Sequence, residues 1–114
     1  MHLNNKDNEA YINFQRIMSL TKTEEIARNI SGFCLYSNNY DLSLKLCKHF
    51  ADHPDIDVRA NVIHGLGYIG MNFKKIDKSF AKSLLRKASK ENNRAIRGAV
   101  TDAQDDLQRY IKGF

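Results

Sequence analysis

The chain has no tryptophan, a single proline, two cysteines and only six glycines among its 114 residues. So few breakers and turn formers argue against a loop-rich β fold and in favour of helices. No segment alternates apolar and polar residues with period two, which excludes half-buried strands. No run approaches the roughly 20 apolar residues that a membrane-spanning helix needs. The N-terminus, Met1-His2-Leu3-Asn4-Asn5-Lys6-Asp7-Asn8-Glu9, is polar and lacks the basic start and apolar stretch of a signal peptide. Cys34 and Cys47 share no short motif, so they read as buried free thiols in a reducing cytosol, and a cytoplasmic location is expected. A phosphate-cradling glycine loop is missing, and no nucleophile sits in a pattern with a base. The chain is therefore read as a non-enzyme without cofactor or metal.

What is there is an ordinary apolar share, 42%, enough for a modest core in one domain spanning 1–114, with residues 1–6 as a flexible lead. The net charge of +5 is unevenly spread. Residues 1–57 hold six Lys/Arg against eight Asp/Glu; residues 58–114 hold twelve against five. The basic character belongs to the second half.

Periodicity and end signals place six helices. The first runs from Asp7, as cap, to about Ser19, with Tyr11, Phe14 and Met18 on one face and Ile17 beside them. The second follows a capping box, Thr21-Lys22-Thr23-Glu24, carries Ile26, Ile30, Phe33 and Cys34, and ends at Ser37-Asn38-Asn39. Asp41 caps the third, which buries Leu42, Leu46 and Phe50 and stops before Pro54. The fourth carries Val58, Val62, Ile63, Leu66 and Ile69 and ends near Gly70 and Asn72. Asp77 caps the fifth, with Phe80, Leu84, Leu85 and Ala88 inward. The sixth, from about Arg94 to Lys112, buries Ile96, Val100, Ala103, Leu107 and Ile111. Short connections make these three antiparallel pairs.

The fourth and sixth helices match at an offset of 38. Val58 corresponds to Ile96, Arg59 to Arg97, Val62 to Val100, Gly65 to Ala103 and Ile69 to Leu107. A period near 40 with two helices per unit is the pattern of a helical repeat, whose units share a core because no single pair can bury its own stripe. The run Asp55-Ile56-Asp57-Val58-Arg59-Ala60-Asn61-Val62-Ile63-His64-Gly65-Leu66-Gly67 resembles the second helix of a HEAT repeat, and 92–107 resembles a looser copy. That resemblance implies an all-α, HEAT/armadillo-like α-α superhelix. Gly65-Leu66-Gly67-Tyr68-Ile69, Lys75-Ile76-Asp77 and Arg97-Gly98 with Asp102-Ala103-Gln104-Asp105-Asp106-Leu107 are similar to short bacterial HEAT-like proteins. Some of these are immunity proteins of contact-dependent or polymorphic toxin systems. The resemblance implies a cytoplasmic immunity protein that neutralises a cognate toxin, of nuclease type, by tight binding.

Four constellations have chemistry to offer. Arg59 and Arg97 share a repeat position and are expected to tie the stack through an Asp, such as Asp57 or one on the last helix. His49 and His53 stand at i, i+4, but Cys47 points roughly 200° away from His49 and no third ligand accompanies them, so no metal site is expected. Lys78, Lys82, Arg86 and Lys90 form an i, i+4 row with Lys74, Lys75 and Lys87 beside it. A solvated outer face explains the row, given few interleaved aromatics; the alternative is a nucleic-acid-binding protein that tracks phosphates with it. Asn61, His64 and Tyr68 step along the fourth helix off its core stripe, and Asp102, Asp105, Asp106 and Arg109 lie on the sixth. These seven are the candidate partner-binding residues, carboxylates standing in for substrate phosphates before a cationic toxin cleft. The bland reading makes Tyr68 a core-edge residue and the aspartates a solubilising face. A generic scaffold is the third functional reading, and the oligomeric state is left open.

Overall fold

The computed structural model describes residues 5–114, with side chains from Asn8 onward. It is all-α: α1 (Asn5–Met18), α2 (Thr23–Tyr36), α3 (Tyr40–Phe50), α4 (Ile56–Phe73), α5 (Lys78–Ala88) and α6 (Arg94–Tyr110), with no strand among the described residues. One device starts four of the six. The side-chain oxygens of Asn39, Asp55, Asp77 and Asn93 accept the backbone N–H of Leu42, Val58, Phe80 and Ile96 at 2.9 to 3.1 Å, each satisfying one donor that the first helical turn leaves free.

These caps reveal how far the repeat extends. Asn39 stands 38 residues before Asp77, and Asp55 stands 38 before Asn93. α3 and α5 are both 11 residues long and match end to end under the same shift. The register therefore covers both helices of the second and third pairs. The first pair lies outside it: α1 and α2 are each 14 residues long.

Side-chain contacts fix the directions. Within pairs the helices are antiparallel: Phe14 meets Phe33 while Arg16 bonds Asn29, Tyr40 at the start of α3 meets Phe73 at the end of α4, and Lys78 at the start of α5 reaches the Lys112 carbonyl just beyond α6. Between pairs the equivalent helices are parallel. Ser31 on α2 bonds Asn61 on α4, and Asn72 bonds the Cys34 and Leu35 carbonyls further along. Gly67 of α4 lies on Ala103 and Asp106 of α6, and Gly70 lies on Leu107 and Ile111. The result is two layers, α1-α3-α5 and α2-α4-α6, in a slab of 45 × 35 × 18 Å.

α4 is the centre of this slab, and its packing shows why its sequence is rich in small residues. A Cβ on Gly70 would stand 2.6 Å from Leu107 Cδ2, and one on Gly65 would stand 3.0 Å from Cys34 Sγ and 3.2 Å from Cys47 Sγ. Val58, Val62, Leu66 and Ile69 of α4 are completely buried, as are Leu46, Ile96 and Leu107 around it. Each such side chain contributes about 1.5 to 3 kcal/mol relative to an exposed one. α4 ends at Lys74, whose φ of 55° puts a lysine in the left-handed region.

The structure moves several boundaries. Asp7 lies inside α1 rather than capping it. Of the flexible lead expected over residues 1–6, residues 1–4 lie outside the described residues, and 5–6 open α1. The buried face of α1 is Ala10, Phe14 and Ile17, while Tyr11 is 45% exposed. The capping box at Thr21 does not form: α2 starts two residues later, and Lys22 at its cap position makes no side-chain bond. Asn39, not Asp41, caps α3, leaving Asp41 in the first turn where a carboxylate suits the helix dipole. α4 continues past Gly70 to Phe73; Gly70 serves the close approach of Leu107 and does not stop the helix. α6 ends at Tyr110, two residues earlier than expected. No helix among the described residues is long and apolar enough to cross a membrane.

Candidate functional site

α4 is enclosed by α2, α3 and α6, and Asp57, Asn61, His64, Tyr68 and Asn72 make a strip of it that reaches the surface. Shifting by 38 carries His64 onto Asp102 and Tyr68 onto Asp106. Because α4 and α6 are parallel neighbours in the same layer, residues at equivalent positions face the same way. His64, Tyr68, Asp102 and Asp106 thus form one ridge across two helices. Its middle is ordered. The His64 and Tyr68 rings stack with centroids 6.5 Å apart and planes 21° apart. Asp106 leans over the bare backbone of Gly67, its Oδ2 2.9 Å from where a Cβ would be. Neither Asp102 nor Asp106 has an ion-pair partner among the described residues.

The other three candidates are placed differently. Asn61 is occupied by the α2–α4 seam: its amide oxygen accepts from Ser31 at 2.8 Å and its amide nitrogen donates to the Asp57 carbonyl at 2.8 Å. Asp105 is the equivalent of Gly67, which faces the next helix in the layer, so Asp105 faces away from α4 at the end of the stack. Arg109 is exposed at the position equivalent to Met71, beyond the ridge.

Arg59 ties the stack, but through another partner than the Asp expected. Its Nη1 meets Glu91 Oε2 at 2.5 Å, joining α4 to the turn that precedes α6. The Asp residues are out of reach because the arginine points along the seam toward the next pair. Arg97, at the same position in the last pair, is exposed and has no acidic partner among the described residues.

His49 of α3 and His53 in the turn after it pack on one ring. His49 and His53 flank the Phe50 ring at 4.7 and 6.2 Å, and His53 Nδ1 accepts the Asp55 N–H at 3.0 Å. No group of three His, Cys, Asp or Glu residues is placed to hold a metal ion among the described residues. The thiols of Cys34 and Cys47 meet at 3.6 Å, both completely buried against Gly65. The partner thiol and burial push the Cys47 thiol well above its ordinary pKa, which keeps it protonated and unreactive.

One lysine of α5 and two in the turn before it lie over aromatic rings, because rings distant in sequence come to them. Lys82 Nζ lies 5.3 Å over the Phe114 ring, Lys74 lies 4.1 Å over Tyr110, and Lys75 lies 4.3 Å over Tyr40. Nearby, Lys48 bonds Asp77 at 2.9 Å, which holds the Asp77 carboxyl below the usual range. Burial, with the Asp77 charge added, raises the Tyr40 hydroxyl above its ordinary value.

Compared with protein-family models, curated proteins and solved structures, the chain matches none. The site therefore rests on its geometry. The signal for the ridge was present in the sequence as the 38-residue register carried one step further, from the core positions to the surface ones. No sequence signal pointed to the Ser31–Asn61 and Asn72 bonds or to Glu91, since each joins residues 30 to 38 apart across a seam.

Proposed function

We propose that this chain is a protein-binding module whose partner docks on the ridge His64, Tyr68, Asp102 and Asp106. The observation that carries the reading is the register that sets Asp102 and Asp106, without an ion-pair partner among the described residues, on the same face as a stacked aromatic pair across two parallel helices. A preordered ring stack loses little conformational entropy on binding, and aromatics at the centre of an interface are common energetic anchors. Carboxylates without an internal cation favour a cationic partner surface. The resemblance to small bacterial HEAT-like immunity proteins makes that partner a cognate toxin domain of nuclease type, its basic substrate cleft met by Asp102 and Asp106.

The test is calorimetric titration of the chain with a catalytically inactivated nuclease-type toxin domain. The expected result is a tight complex, weakened at least tenfold by Tyr68→Ala combined with Asp106→Ala. A complex of unchanged affinity in that double variant would place the interface elsewhere. No complex at all would remove the toxin reading.

A further inference from the structure

The repeat register allows each surface of the last pair to be compared with its twin in the pair before it. Lys48 of α3 and Asp52 in the turn after it, in one i, i+4 row with Tyr40 and Leu44, reach α5. Lys48 bonds Asp77 at 2.9 Å and lies 5.4 Å over Phe80, and Asp52 bonds Lys87 at 3.2 Å. Shifted by 38, the same row on α5 is Lys78, Lys82, Arg86 and Lys90, all four exposed. It faces the position the next pair would occupy. So the basic row is the end of the stack, not its outer face.

Solubility at such an end asks only for polar residues. It does not ask for one sign. Lys78–Lys82, Lys82–Arg86 and Arg86–Lys90 are like charges at i, i+4, a spacing at which repulsion destabilises a helix. Residues 74–97 hold nine Lys/Arg and two acids, Asp77 and Glu91. Both acids are taken by cations from outside that segment, Lys48 and Arg59. Only Lys87 of the nine has an ion-pair partner among the described residues, Asp52.

We propose that this end of the stack binds the phosphodiester backbone of nucleic acid, with Lys78, Lys82, Arg86, Lys90 and Arg97 as its cations. The row advances about 6 Å per step along the helix, which sets a straight line of charges rather than a single anion pocket. Its lysines are partly ordered in advance. Lys78 Nζ donates to the Lys112 carbonyl at 3.0 Å, and Lys82 rests over Phe114. Ordered cations beside ring faces suit a strand that offers phosphates and bases together. An anionic membrane fits less well, because a membrane-surface site needs apolar groups to insert. The exposed large apolar residues, Tyr11, Ile12, Tyr36 and Ile56, lie on α1, α2 and the start of α4 instead. The site is independent of the ridge of opposite sign on α4 and α6.

The experiment is fluorescence anisotropy of a labelled 20-mer, single-stranded and duplex, titrated with the full chain between 50 and 200 mM salt. The expected result is binding whose logarithm falls linearly with log salt, with a slope of about −3.5 for five neutralised phosphates of a single strand. Lys82→Glu with Arg86→Glu should weaken it at least tenfold and flatten the slope. Lys90→Glu with Arg97→Glu, which leaves the Phe114 contact alone, should do the same. Tyr68→Ala with Asp106→Ala should leave it unchanged, which separates this site from the protein-binding ridge. Affinity indifferent to both reversals, absence of binding at 50 mM salt, or binding to phosphatidylserine vesicles in place of oligonucleotides would overturn the proposal.

Discussion

α4 and α6 are built on one register and live in different surroundings. Both have a side-chain cap three residues before a buried β-branched residue, and both bury the first half of their stripe: Val58 and Val62 in one, Ile96 and Val100 in the other. They part at the positions that face onward along the stack. Ile63, Leu66, Gly67 and Gly70 of α4 are buried; Thr101, Gln104, Asp105 and Gln108, their equivalents on α6, are exposed. An interior repeat needs small and apolar residues on both flanks, and a terminal one needs polar residues on the outer flank. The comparison teaches that departures from the repeat are as informative as matches, since they mark where the stacking stops.

The largest way to break the symmetry is to remove core volume from one twin. Leu66→Ala, at a completely buried position, should cost about 2 to 5 kcal/mol, while Gln104→Ala, its exposed equivalent, should stay within about 0.5 kcal/mol. Urea unfolding followed by circular dichroism measures both. Equal losses would mean that Gln104 is covered and the stack does not end at α6.

This contrast was largely readable in the sequence, because the core positions of α4 to α6 recur with the helical period. Asp77 was readable as a cap, standing alone before an apolar stripe. Asp41 and Thr21 each have a rival cap or start two residues away, and spacing cannot choose between them. What could not be read was adjacency across seams. Asn61 looks like a surface residue from its helix alone, and only the parallel placement of α2 turns it toward Ser31. The ridge is half legible for the same reason: helix face alone groups its four residues with Asn61, Asp105 and Arg109, and only the contact of Gly67 with α6 shows which flank meets the neighbour and so parts Asp105 from Asp106.

Glycines sharpen the comparison further. Gly70→Ala places a methyl 2.6 Å from Leu107 Cδ2, and the overpacking should cost about 1 to 3 kcal/mol. Gly98→Ala meets nothing within 4 Å and should stabilise α6 by about 0.5 to 1 kcal/mol through helix propensity. Opposite signs for one substitution type, read from melting or urea midpoints, are the expected outcome; a loss at Gly98 would require a neighbour on the outer flank.

The caps should behave alike in the two twins. Asp55→Ala and Asn93→Ala should each cost about 1 kcal/mol in urea unfolding, because the two oxygens make the same bond at 3.0 Å. Unequal costs would place one helix start under a second constraint.

The smallest effect is one of pH. Lys48 and the Phe80 N–H hold the Asp77 carboxyl below its ordinary range in the folded chain. A depressed folded pKa means that the contribution is present above the ordinary carboxylate pKa of about 3.9 and fades as pH falls through the lower folded value. Asp77→Asn should therefore narrow the stability gap between pH 6 and pH 3. An unchanged pH profile would show the Lys48 contact to be idle in solution.

The central claim is that Asp102 and Asp106 share a working face with His64 and Tyr68, and that Asp105 does not. Titrating the toxin domain proposed as partner, in inactivated form, with Asp106→Ala and Asp105→Ala side by side tests it most directly. The account predicts at least a tenfold loss of affinity for Asp106→Ala and less than a twofold change for Asp105→Ala. The reverse order would contradict it.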